Sequence, residues 1–401
     1  MSAPENIFSN FGQAFLWKNI NFVNRNPSMG RTYYYYIDRL KVFLMCLIIF
    51  HQTLIAYGGI GHWYYVSTDR FDGTALIVVN TVKTVNLSFL AAAFFLMSAM
   101  LARASYHRWG FREFVKRRVL RLGIPLAVYA FLFHPTVVFF VARMFGMPSD
   151  WFTFWCYLMK HEFSLGPMWF IATLLTLELL YAVYERFCPS IEPLMAELWK
   201  QTPALRATLF VAIFGIISFI VRLFSPARAS QPGVQWGFYP VYIGMFISGL
   251  IAQRNDWIHK LKIGFALPWL LFSLLCLPML LLSVHYIEDW SAFTGGLNMQ
   301  SLFYALWEPM ISCGMCLFLM SVFFRYFNRP NKKAAMLGRL SYTVFFICPA
   351  VIVPFTRLFE SMAMPVALKW FLTAVLSIVG CFTAALLLHK SFSLVRKAFK
   401  K

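Results

Sequence analysis

Predominantly apolar stretches recur along the whole chain, at roughly 40–58, 76–102, 119–143, 168–185, 207–224, 237–253, 264–285, 302–324, 341–357 and 367–389. Each is close to the roughly 20 residues that carry an α-helix across a bilayer core. The second is long enough to tilt or to project past the headgroups. No internal repeat and no low-complexity tract interrupts the series. The pattern predicts an all-α integral membrane fold, a single polytopic bundle of about ten transmembrane helices. It divides the chain into a cytoplasmic N-terminal segment (1–36), a membrane domain (37–390) and a basic cytoplasmic tail (391–401). Residues 1–30 are polar and lack the short apolar core and small-residue cleavage site of a signal peptide. The first span is therefore expected to stay in the chain.

Composition supports the same reading. Of 401 residues, 60% are hydrophobic and 13% charged, with a mean hydropathy of +0.64. Soluble domains sit nearer half apolar and a quarter charged. The net charge of +20 first suggests nucleic acid, but its distribution argues against that partner. With the N-terminus inside, most basic residues fall in inner segments, as the positive-inside rule requires, and both termini are expected in the cytoplasm. The sharpest inner segment is "RASYHRWGFREFVKRRVLR", Arg103 to Arg121, expected as a loop. The longer outer loops, near 59–75, 144–167 and 286–301, carry Trp and Tyr instead. Aromatics at that level form an interfacial belt, and they are also surfaces on which sugars stack. Trp63 and Trp169 are the candidates for either role. Eight cysteines lie mostly within apolar runs. Cys313 and Cys316 fall inside an expected span with no second ligand pair, so no metal site is expected.

Ionisable groups inside a bilayer are costly and are functional candidates by default. His51 lies about ten residues into the first expected span, roughly 15 Å deep at 1.5 Å per residue. A neutral imidazole is the cheapest titratable group to bury there, and it can accept a hydroxyl proton near neutral pH. Arg39 and Lys41 precede it on the same segment. Glu178 and Glu308 are two further buried acids, either of which could orient His51, pair with Lys41 or lock helices together. Arg222 lies near the outer end of its span, where snorkelling is the plain explanation. In "KRRVLRLGIP", Arg118 and Arg121 are three apart, with Arg117 beside them. On a helix they share a face and offer two planar forks to one anion. A phosphate-rich, nucleotide-like ligand suits that cluster; so do anionic lipid headgroups.

The segments "YYIDRLKVFLMCLIIFHQTLIAYGG", "FFLMSAMLARASYHRWGFREFVKRRVLRLGIP", "GPMWFIATLL", "GFYPVYIGMFISGLIAQRNDW" and "LGRLSYTVFFICPAVIV" occur in an order that resembles the acyltransferase-3 family of integral-membrane O-acyltransferases. The similarity is closest to the branch of bacterial glucan-modifying succinyl- and acetyltransferases, and it covers most of residues 33–390. The resemblance implies an acyl-CoA co-substrate on the cytoplasmic side, no bound cofactor, and a glycan or other hydroxyl acceptor outside. It implies a multi-pass protein of a bacterial inner (plasma) membrane. His51 takes the place of the catalytic histidine, as base or acyl carrier, with Glu308 as a second catalytic candidate. Lys41, Arg39, Arg117, Arg118 and Arg121 take the donor side. Trp63, Trp169, Glu178 and Arg222 are acceptor-side or structural candidates. Three positions depart from the family's pattern. Nine residues rather than ten separate Lys41 from His51, Ser98-Ala99 stands where Ser-Gly is usual, and Cys348 stands where a histidine is common. A separation of eleven positions returns within about 20° of the same helix face, whereas ten falls about 80° away. The other function open to such a chain is a transporter or flippase of an acylated or glycosylated lipid, which would also carry ionisable groups at the midplane.

Overall fold

The computed structural model describes residues 34–147, 150–188, 202–227, 236–278 and 291–398. Most of the expected N-terminal segment (1–33), the end of the tail (399–401) and the outer end of the expected span 264–285 lie outside the described residues. Among these residues every regular element is a helix. They are α1 (Tyr35–Ala56), α2 (Gly73–Arg118), α3 (Ile124–Val128), α4 (His134–Met144), α5 (Trp151–His161), α6 (Trp169–Phe187), α7 (Pro203–Phe224), α8 (Tyr239–Arg254), α9 (Trp257–Lys260), α10 (Ile263–Leu275), α11 (Ser291–Thr294), α12 (Met299–Phe327), α13 (Lys332–Glu360) and α14 (Val366–Ala398). Seven helical runs among the described residues are long and apolar enough to cross a membrane. Two expected spans, 76–102 and 119–143, join in one run, Gly73–Met144. The spans expected at 237–253 and 264–285 correspond to the shorter α8 and α10.

The basic segment Arg103–Arg121 is helical, not a loop. Arg and Lys are good helix formers, so charge density alone does not end α2. The single break is at Gly110, with φ 71° and ψ 175°. Space is open around that position, so glycine is needed there for its backbone freedom. Beyond α2 the chain widens into π-turns at Val119–Gly123 and Tyr129–Phe133. Each is followed within two residues by a proline, Pro125 and Pro135. Proline lacks an N–H and crowds the preceding turn, and a widened turn relieves both problems. Elsewhere side chains fix the starts of helices. Thr202, Asn298 and Asn331 accept from the first-turn amides of α7, α12 and α13, satisfying donors that the helix cannot.

The chain divides into two compact units. One comprises the residues up to Asn80, Lys116–Leu175 and those from Pro330 onward; the other comprises Thr81–Val115 and Thr176–Arg329. In the first unit α1 packs on α13 and α14, which also pack on each other. Ile37, Leu40 and Leu44 of α1 and Val344, Cys348 and Ile352 of α13 are fully buried or nearly so, at the three- and four-residue spacing of a buried helix stripe. Close approach is set at Gly338 of α13, where a Cβ would lie 2.7 Å from the Asp38 Cβ and 2.8 Å from its carbonyl oxygen.

In the second unit α12 packs on α7 and α10. Ala207 shares a core cluster with Cys313 and Leu317. Gly215 abuts Leu306, and Gly295 abuts the Arg222 carbonyl. The rising numbers of α7 meet falling numbers of α12, so the two helices run antiparallel. Trp307, 1% exposed, anchors this core and donates from Nε1 to the Ser273 carbonyl at 2.9 Å.

Candidate active site

Helix α1 carries the central pieces. It begins at Tyr35, earlier than the apolar pattern alone indicates, because Asp38 in its first turn is favoured by the helix dipole and Arg39 and Lys41 propagate helix well. Lys41 is 6% exposed, and Asp38 lies one turn before it. Arg121 and Arg118 approach closely enough for their charges to repel the Lys41 ammonium, while Asp38 attracts it. Thus the end of α2 and the π-turn after it place the two arginines within electrostatic reach of Lys41 in the first turns of α1, all within the first unit. Arg117 is exposed and Arg118 and Arg121 are half-buried. Exposure thus falls from Arg117 through Arg118 and Arg121 to buried Lys41. Arg39 is half-buried beside them.

His51 is buried, 9% exposed. It lies ten residues beyond Lys41, about 15 Å along the axis. Because the helix starts early, His51 falls in its last third, five residues before Ala56. Around it Phe50 meets Trp370 of α14 edge-on, with ring centroids 5.0 Å apart, and Thr53 donates back to the Phe50 carbonyl at 2.8 Å.

Glu308 and Arg222 belong to the second unit and bind each other. Both side chains are 0% exposed and form an ion pair. Nε of Arg222 donates to the Gly237 carbonyl at 3.1 Å, and its guanidinium lies 4.8 Å from the Tyr304 ring centroid. Arg222 does not snorkel: its head turns inward to the carboxylate. Glu178 is buried in α6 at 1% exposure. Nearby in sequence, Glu185 holds Arg103 at 3.2 Å and accepts from Tyr181 at 2.8 Å, a network that the sequence did not single out.

The chain matches the Acyl_transf_3 family, an acyltransferase domain, over residues 34–390. It belongs to this acyltransferase family. Family membership together with the apolar helices makes it a multi-pass membrane O-acyltransferase. No curated protein and no solved structure matches it.

On this family member, the loop 57–72 that follows the histidine helix is tightly held. Glu360, at the end of α13, accepts from the Thr68 amide and hydroxyl at 2.6 Å each, from Arg357 at 2.7 Å and from Tyr65. Lys369 of α14 pairs with Asp69, and Tyr57 shares a hydrogen bond of 2.8 Å with Thr373. Trp63 sits on this loop edge-on to Tyr64. Tyr64 is bonded to Tyr129 at 2.8 Å and to Nδ1 of His134 at 2.7 Å. Burial raises the Tyr64 phenol above its ordinary range, against the Tyr129 hydrogen bond, so it stays a donor. Cys348 is fully buried with its thiol toward the Phe345 carbonyl at 3.2 Å. Its charge, if formed, would act on Tyr64 and Tyr129. Hence the cluster beneath the loop has a histidine from α4 and a cysteine from α13. Trp169 lies at the start of α6, where its carbonyl accepts from Thr173. Sequence reading missed His134, Glu360 and Lys369. The only signals were a histidine before a proline and charges at span ends.

Proposed function

We propose that the protein moves an acyl group, acetyl or succinyl, from cytoplasmic acyl-CoA to a hydroxyl of an extracytoplasmic glycan. The observation that carries this reading is the convergence of Lys41, Arg118 and Arg121 at one end of the helix that buries His51. Cations matched to phosphates at one end leave the pantetheine arm to bridge toward the imidazole. The positive-inside distribution supports a cytoplasmic placement for the cationic end.

His51 takes the acceptor hydroxyl proton as the oxygen forms its bond to the acyl carbon. The carbon–sulfur bond breaks, and the departing CoA thiolate is protonated in turn. In the covalent variant of the same chemistry, Nε2 or Nδ1 holds the acyl group between the two transfers. Aromatic side chains of the outer loops, Trp63 among them, receive the sugar.

The test compares wild type with His51→Ala in membranes containing equal amounts of protein. Base catalysis is typically worth about 100- to 10,000-fold, and a loss of that size in acylated glycan is expected. Unchanged acylation removes His51 from the mechanism. Arg118→Ala/Arg121→Ala is expected to raise the acyl-CoA concentration needed for half-maximal rate; an unchanged requirement removes the donor site. A protein that transfers no label from acetyl-CoA or succinyl-CoA yet moves a lipid across vesicles is a flippase instead.

A further inference from the structure

Tyr342 occupies the second turn beyond the start of the buried stretch of α13. Its hydroxyl is buried and has no hydrogen-bond partner among the described residues, and the residue is only 6% exposed. A buried phenol left unpaired is unfavourable, and each such group in a native structure calls for an explanation. Its surroundings supply one. Gly338, one turn earlier on the same face of α13, is pressed against Asp38, so this face lies on α1 at the level of Asp38 and Lys41. The charge of Arg121 acts on the Tyr342 phenol and on Lys41 alike. The orphan hydroxyl therefore sits near the level of Asp38 and Lys41, within reach of the charge of half-buried Arg121. Guanidinium, ammonium and phenol O–H groups are the donors that phosphate oxygens take.

We propose that Tyr342 is a positioning residue for the donor, its hydroxyl donating to a phosphate oxygen of acyl-CoA held by Lys41, Arg118 and Arg121. The proposal rests on the acyl-CoA reading above. The same chemistry would also suit the phosphate of an anionic lipid, and the experiment separates the two.

The opposing signs of two measurements on Tyr342→Phe decide the matter. Removing an unpaired buried oxygen should leave the thermal midpoint of the ligand-free protein equal or higher. Losing a hydrogen bond to a charged group should weaken CoA binding by about tenfold to a hundredfold. CoA is titrated into purified wild type and variant in a neutral detergent, and a parallel series titrates phosphatidylglycerol. Weaker CoA binding at an equal or higher midpoint supports the proposal. Unchanged CoA affinity, a loss confined to the phosphatidylglycerol series, or a lower midpoint overturns it, the last because a structural phenol would have been revealed. If wild type binds no CoA, the acyl-CoA reading itself fails, and this inference falls with it.

Discussion

At the scale of the residue, the contrast between Lys41 and Arg222 is instructive. Both are buried cations in apolar helices. Arg222 is matched by one carboxylate, Glu308, with ring faces and a carbonyl around the guanidinium. Lys41 instead lies within reach of the charges of Arg118, Arg121 and Asp38, the setting in which the proposed function seats an anionic ligand. Burying the first pair is a structural arrangement whose members depend on each other. Arg222→Met alone leaves a buried carboxylate, and about 3–5 kcal/mol of destabilisation is expected. Glu308→Met alone should cost a similar amount. Arg222→Met/Glu308→Met should recover much of that loss, because an ion pair replaced as a unit by apolar side chains of similar volume is often neutral. Thermal unfolding of the three variants in one detergent checks this, and additive losses would show that the two side chains do not depend on each other.

At the scale of the element, the loop 57–72 behaves as an extension of α13 and α14. Backbone bonds fold it onto the end of α1, from Ser67 to the Ala56 carbonyl at 2.8 Å and from Phe71 to the Tyr57 carbonyl at 3.0 Å. The Glu360 carboxylate gathers its middle. Hydrogen bonds to a charged group contribute about 1.5–3 kcal/mol each, though not additively. Glu360→Ala should therefore leave the helices in place and release the loop. Hydrogen exchange should quicken at the Ser67, Thr68 and Phe71 amides while the α1 interior stays protected. Equal exchange in variant and wild type would mean that the backbone bonds hold the loop unaided. Since Trp63 and Tyr64 ride on this loop, its rigidity also fixes the placement of their rings.

At the scale of the whole molecule, charge and cysteine placement make the orientation measurable. Cys156 in α5 and Cys188 after α6 are exposed, whereas Cys313, Cys316, Cys348 and Cys381 are buried. With the N-terminus inside, Cys156 lies on the outer side and Cys188 on the inner side. A membrane-impermeant maleimide should label Cys156 in intact cells and Cys188 only after permeabilisation. Labelling in the reverse order would invert the topology and place the Arg118–Arg121 cluster outside, where cytoplasmic acyl-CoA does not reach.

The sequence by itself determined the all-helical character and the membrane setting. Hydrophobic runs of bilayer length and the sorting of basic residues depend only on local composition, which a single chain displays in full. The three-residue spacing of Arg118 and Arg121 was legible as well, but Arg121 falls in a π-turn just beyond α2, which α-helical periodicity does not anticipate. Partners were not legible. That Arg222 turns inward to Glu308, that Gly338 is pressed against Asp38, and that His134 joins Tyr64 all depend on which helices pack together. Those contacts join residues up to about three hundred positions apart, as in Thr68 to Glu360. Local pattern carries no record of them, since one apolar face can pack on many others. Even the depth of His51 needed the folded chain: hydropathy started the first helix near Leu40, and the structure starts it at Tyr35. Charged residues can continue a helix beyond the apolar run that announces it, and packing decides where it begins.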